Sequence, residues 1–273
     1  MMTVSSWLFE KTIGTSDNFM ADLVDLVLLA GQLILENGGE TFRVEETMVR
    51  MALAGGAQTA DVFAIPQGIF CTISEGLQTH TRVARIHRRE FNLTKVLEVN
   101  RISRQLSADL LTVETAYAEL LRVDRLPKRY PTGIRLLAGS IGSAAFSSLL
   151  GAQVGTVFAA GITGLLVMFV MEFLQKREIL NFVSLAIAGA MTALANLIIR
   201  QFWPSVQFDL AVIGSIMVLA PGLAITTSVR DALSEDLISA SIRGAEAFGV
   251  ALAIASGVGS VLTLYLWIGG ILP

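Results

Sequence analysis

The spacing of apolar positions changes twice along this chain, and each change marks a new kind of structure. Over about 18–36 the residues Leu23, Leu26, Val27, Ala30, Leu33 and Ile34 recur at helical intervals, behind Ser16 or Asp17 as a cap. Asn37-Gly38-Gly39 then stops the helix, because Asn and Gly accept the left-handed conformation at a helix end. Glu40-Thr41 restarts the chain as a second helix to about Ala54, with Phe42, Val49 and Ala52 expected inward. The period next falls to two. Segments 61–65 and 69–73 read as strands around the turn Pro66-Gln67-Gly68, and 78–86 as a third strand after Ser74-Glu75-Gly76. Helical spacing returns behind Asn92, as a cap, through about Leu106, and again from Thr112 to Leu126, where Pro127 ends it.

Beyond residue 130 the alternation of polar and apolar faces gives way to nearly unbroken apolar stretches. Five are long enough to span a bilayer, at 134–150, 154–171, 179–199, 210–229 and 247–272, since about 20 helical residues cross the roughly 30 Å of hydrocarbon. The first is the most polar, carrying Arg135 and several Ser. The fourth is interrupted by Ala220-Pro221-Gly222 and leaves through Arg230-Asp231 and Glu235-Asp236. Pro removes a backbone donor and Gly loosens the backbone, so carbonyls are freed at mid-depth. In lipid such groups are tolerated only against protein or a water-filled cavity, and broken helices of this kind face substrates in many transporters. A Pro kink that only shapes packing is the alternative. The expected architecture is a small cytoplasmic α+β domain followed by an all-α polytopic membrane bundle of five transmembrane helices. The divisions are a flexible tail at 1–15, the α+β domain at 16–130 and the membrane domain at 131–273.

Charge follows the same division. The first 130 residues hold 14 of the 20 Lys and Arg and 16 of the 23 Asp and Glu. A net charge of -3 gives no reason to expect a nucleic-acid partner. The single Cys71 excludes a disulfide within the chain. Trp7-Leu8-Phe9, followed at once by Glu10 and Lys11, is too short for a secretory signal, so the first half is expected to stay in the cytoplasm. One set of loop flanks carries Arg122, Arg125, Lys128, Arg129, Arg135, Lys176, Arg177, Arg230 and Arg243, and the other only Arg200. The excess of positive charge on the inner side places the N-terminus in the cytoplasm and the C-terminus outside.

Candidate chemistry is sparse. No ionisable residue sits at the centre of a span, so any coupling acid lies at a margin, and Asp231 and Asp236 follow the broken helix directly. A solvated loop with a helix cap is the plainer reading of that pair. Thr163 and Asn196 lie within spans, fit to bind a polar substrate or to hydrogen-bond between helices. Small residues at Gly139, Ser143 and Ser147, and at Ala253, Gly257 and Val261, suit close helix packing within one subunit or against a partner. In the soluble half, Glu40, Arg43, Glu45 and Glu46 make a dense charged turn beside Gly38-Gly39, where backbone N–H groups and a helix N-terminus can meet an anion. An exposed helix start with local ion pairs explains the same turn. His80, Arg82, Arg85, His87, Arg88 and Arg89 form a basic patch suited to anionic metabolites or headgroups, or simply to guarding an edge strand. Neither a nucleophile–base set nor metal-ligand spacing is present, so no enzyme activity, metal or cofactor is expected.

NGGETFRVEETMVRMA, then DVFAIPQGIFCTI and TRVARI, and later APGLAITTSVRDALSEDLISA together resemble the threonine/serine exporter (ThrE-like) family over about residues 20–265. The resemblance implies secondary active export of a small polar metabolite, threonine or serine being the namesake substrates. Some split-type relatives are linked instead to C4-dicarboxylates such as succinate. It also points to Gly38, Glu40, Thr41, Arg43, Asp61, Pro66 and Gly68 in the soluble half, although turn chemistry accounts for Pro66 and Gly68 without a ligand. Pro221, Gly222, Asp231 and Asp236 are the matching positions in the membrane half. Full-length members carry a second bundle, and this chain ends at Pro273 without one. The split form is therefore expected, in which a small integral membrane subunit supplies that bundle, in the inner (plasma) membrane and within an oligomer. The competing class is a membrane-anchored metabolite sensor or scaffold subunit.

Overall fold

A computed structural model describes residues 19–86, 91–127, 130–177 and 179–269. The expected tail at 1–15, the cap at Ser16 or Asp17, the basic residues His87, Arg88, Arg89, Lys128 and Arg129, and the end of the fifth span lie outside the described residues. The chain is mostly helical, with a small three-stranded antiparallel sheet and several apolar helices. It divides into two compact units, Met1–Arg129 with Val229–Ala240, and Tyr130–Ser228 with Ser241–Pro273.

In the first unit, helix α1 (Phe19–Glu36) is the centre of the core. Its burial is wider than the single stripe read from the sequence: Met20, Val24, Leu29 and Leu35 are buried along with Leu23, Leu26, Val27, Ala30, Leu33 and Ile34. A helix that is apolar on nearly every side belongs in an interior. Helix α2 (Thr41–Ala54) covers it with Val44, Met48, Met51 and Ala52. The inward residues differ from the expected set, for Phe42 is 38% exposed and Val49 only half-buried. Strands β1 (Thr59–Ile65), β2 (Gly68–Glu75) and β3 (Gln78–Arg85) pair in that order. The register sets Ala64 opposite Ile69 and Ile69 opposite Ala84 on the face turned to the core. Helices α3 (Leu93–Ser107) and α4 (Val113–Asp124) complete the unit. Arg101 ties them together, donating to Glu98 at 2.9 Å and Glu119 at 2.7 Å. Thr112 and Thr115 form a reciprocal cap for α4. Asn92 stands before α3 without a side-chain capping bond, and its N–H donates instead to the Asn37 carbonyl at 3.2 Å.

The second unit contains α5 (Thr132–Leu149), α6 (Val154–Lys176), α7 (Asn181–Phe202) and α8 (Phe208–Ile216), with a 3-10 turn at Met217–Leu219. The start of α9 (Gly222–Leu233) and most of α10 (Leu237–Trp267) belong to it as well. Among the described residues three helices, α6, α7 and α10, are long and apolar enough to cross a membrane, and the bent pair 208–219 and 222–233 makes up to four. Helix α5 has the length, but its serines and Arg135 leave it more polar. Small residues bring these helices together. Gly139 fits under Met168, Gly164 against Ser143 and Gly214 against Ser147, so the glycine-serine face of α5 is occupied within this chain. Gly257 of α10 lies against the Ala186 carbonyl and Gly189 of α7 against the Ile254 carbonyl. Without a hydrophobic drive between helices in lipid, close backbone approach of this kind supplies the contact.

Candidate functional site

The chain turns from α1 into α2 through Asn37-Gly38-Gly39. Gly38 has φ 90°, and the Gly39 N–H donates to the Ile34 carbonyl at 2.8 Å, the closing bond of a Schellman turn. A Cβ at Gly39 would sit 2.2 Å from an Ile34 methyl group and 2.8 Å from the Ile34 carbonyl oxygen. These glycines thus bring Glu40 tightly onto the N-terminus of α2 while their own N–H groups serve the end of α1. Glu40 occupies the N-cap position with extended backbone but makes no capping bond. Its carboxylate instead accepts from Arg43 at 3.2 Å and from Arg230. Arg43 also lies 5.9 Å from the centre of the Phe42 ring.

Arg230 arrives from the far end of the chain. Although Val229–Ala240 lies between apolar helical stretches in sequence, it is part of the first unit. Helix α9 ends there in a second Schellman turn, with the Asp236 N–H donating to the Asp231 carbonyl at 3.0 Å and Glu235 at φ 64°. Asp236 then serves two elements. Its Oδ1 accepts the Ser239 N–H at 3.0 Å, capping α10, and its Oδ2 accepts the Thr41 hydroxyl at 2.8 Å. Thr41 is 1% exposed and Asp231 2%. Of the plainer reading of Asp231 and Asp236, a solvated loop with a helix cap, the cap is found at Asp236, while Asp231 is buried rather than solvated.

Glu45 lies one helical turn beyond Thr41, on the same face of α2. Its Oε1 accepts the Ala64 N–H of β1 at 2.9 Å. Burial raises its pKa above the ordinary Glu value; the Ala64 hydrogen bond opposes that rise, and the charge of Asp236 adds to it. In the sequence Glu45 is one acid in a charged turn. Its spacing of four from Thr41 is the signal that sets it apart. Asp61, by contrast, points to the exposed face of β1 with Phe63, away from the face that holds Ala64. Pro66 and Gly68 form the β1–β2 turn, where both are buried and a Cβ on Gly68 would meet the Ala84 carbonyl at 3.1 Å. Arg82 lies 3.9 Å from Asp25, and β3, which carries it, is an edge strand.

In the second unit Thr163 and Asn196 are fully buried and share a hydrogen bond of 3.4 Å between α6 and α7. Asn196 also donates to the Thr192 carbonyl at 2.9 Å. Arg135 is neutralised by Glu172 at 2.8 Å, which lets a charged residue lie in α5. At the break, Pro221 follows the 3-10 turn and the helix axis bends by 61°. A Cβ at Gly222 would meet nothing within 4 Å. Among the described residues no three His, Cys, Asp or Glu side chains gather closely enough to hold a metal ion.

The family model described as "Putative threonine/serine exporter" matches residues 25–265. A threonine/serine exporter of Corynebacterium glutamicum is 23% identical over 90% of this chain and 52% of its own length. Proteins named "Probable succinate transporter subunit YjjP" are 26% identical in Escherichia coli K12, over 89% of this chain and 93% of theirs, and 23% identical in Klebsiella aerogenes, over 86% and 90%. The chain thus spans about half of the Corynebacterium relative and nearly all of the other two. No solved structure matches. The match over residues 25–265 and the apolar helices together identify a membrane protein that belongs to the threonine/serine exporter (ThrE) family.

Proposed function

We propose that this chain is one subunit of a secondary active exporter that moves small polar metabolites of the threonine/serine type out of the cytoplasm. The observation that carries the reading is the helix broken at Pro221-Gly222, with a 61° bend, whose charged end is clasped by Glu40 and Thr41. A break inside an apolar bundle exposes backbone dipoles, and a polar solute can use them. Thr163 and Asn196 add buried hydrogen-bonding groups in the same unit. The proposed topology has five spans, with α5 the polar one, the first unit in the cytoplasm and the C-terminus outside. The positive charge of the loop flanks supports that orientation in the inner membrane. A small membrane partner supplies a second helix bundle, and rocking of the two bundles gives alternating access. The name of the Escherichia coli relative, a transporter subunit, supports a complex of more than one chain, and its substrate makes a C4-dicarboxylate the second reading.

Preloaded membrane vesicles test both. Labelled threonine, serine and succinate are followed with this chain alone and with its membrane partner. Efflux of one substrate only with both chains supports the two-component exporter and identifies its cargo. Efflux from this chain alone removes the partner. No efflux with both proteins inserted rejects the exporter in favour of a sensor or scaffold.

A further inference from the structure

We propose that Glu45 and Asp236 form a proton-responsive latch, closed while Glu45 carries a proton and loosened when both carboxylates are ionised, that holds the 229–240 segment on α2. Three observations build it. Thr41 and Glu45 share one face of α2, and the Thr41 hydroxyl bond to Asp236 lays the segment over that face. Asp236 cannot simply swing away, because its other oxygen caps α10 at the Ser239 N–H. Glu45 in turn is anchored from β1 by the Ala64 N–H. Two acids are therefore held toward one another by bonds to three different elements. Ionising both sets like charges in a partly buried place, which is unfavourable.

The segment itself carries two further carboxylates, the buried Asp231 and the exposed Glu235, and the following charges around the latch have partners of their own. On α2 and the segment itself, Glu40 holds Arg43 and Arg230, while Glu46 pairs with Arg50. From β1, Asp61 points to the opposite sheet face. From α1, Asp25 lies toward Arg82, and both Asp22 and Asp25 act on Tyr117. From α3, Lys95 donates to the Asp124 carbonyl and Glu98 accepts from Arg101. Asp236 is the charged group that acts on Glu45.

The direction in pH follows from the proton. The closed latch binds it more tightly than the open one, because it brings the charge of Asp236 to a Glu45 whose pKa burial already raises. Closure is therefore fully favoured below the ordinary Glu value and is lost as pH rises through the raised one. This behaviour does not depend on what the protein carries, so a failed transport assay leaves it standing.

Hydrogen exchange of the full chain in lipid nanodiscs tests the latch, read as protection of the 229–240 amides, Ser239 above all, after correction for the intrinsic pH dependence. The expected result is protection that falls with rising pH, by up to about tenfold per pH unit for one coupled proton. Glu45→Gln should flatten that dependence, and Asp236→Asn, whose one carbonyl oxygen can keep the Ser239 cap while its NH2 group donates to the Thr41 hydroxyl, should weaken it. Glu46→Gln should leave it as in the native chain. A native profile without pH dependence overturns the latch. So does an unaltered dependence in Glu45→Gln, or, if that variant fails to fold, in Asp236→Asn.

Discussion

At the scale of single residues, environment sets what each group can do. Cys71 points into the core from β2 at 0% exposure, and burial pushes its thiol up to about 11. At neutral pH it is a protonated, shielded thiol, and the thiolate is the reactive form. Maleimide should leave the native chain unlabelled at pH 7 and modify it fully after denaturation; labelling of the native chain would contradict the burial. Glu235 shows the opposite situation, an exposed side chain on a strained backbone. Its φ of 64° is a left-handed conformation that costs a non-glycine residue about 1 kcal/mol. Glu235→Gly should therefore stabilise the end of α9 by about that much, read as slower exchange of the neighbouring amides, and faster exchange would refute the argument. Neither property is written in the local sequence. Cys71 was legible as a strand residue, but its depth comes from α1 packing on the sheet. Glu45 looked like one acid among several until Asp236, distant in sequence, was placed beside it.

Among elements, what the sequence made legible is what short-range physics controls. The period-two segments gave three strands around Pro66-Gly68 and Gly76, and Pro221-Gly222 gave a broken helix. The partner of each small-residue face was not legible, because glycine records only that something comes close. The structure fills in those partners. At Gly257 an added Cβ would lie 2.0 Å from the Ala186 carbonyl oxygen, whereas at Gly259, two residues along α10, it would meet nothing within 4 Å. The same substitution should thus have two outcomes. Gly257→Ala must push α7 and α10 apart and should destabilise the bundle by about 1–3 kcal/mol, while Gly259→Ala should be close to neutral. Thermal unfolding in detergent separates them, and equal midpoints would mean that α7 and α10 do not pack through Gly257. The Thr163–Asn196 bond joins α6 to α7 in a different way. Interhelical hydrogen bonds in membranes average only about 0.6 kcal/mol. A substrate role for this pair would show as lost efflux in Thr163→Val with little change in stability.

For the whole molecule, a division by composition near residue 130 gives no sign that 229–240 belongs to the first unit. That membership rests on side-chain bonds across 190 residues or more, from Glu40 to Arg230 and from Thr41 to Asp236, and no local pattern encodes them. The proposed orientation is different, because it is argued from the loop charges alone, and the buried Cys71 makes it simple to measure. A single cysteine added to the native chain becomes the only reactive thiol. Glu75 is exposed at the β2–β3 turn, and Ser205 is exposed in the turn between α7 and α8. With nine Lys and Arg flanking one side of the spans and Arg200 alone on the other, the proposed orientation puts Ser205 outside and Glu75 inside. In intact cells a membrane-impermeant maleimide should label Ser205→Cys and spare Glu75→Cys, and permeabilising the cells should expose Glu75→Cys as well. The reverse pattern would put the first unit outside, where Glu40, Thr41 and Asp236 could not meet a metabolite on its way out of the cytoplasm. Labelling of both before permeabilisation would mean that the apolar helices between them do not separate the two sites.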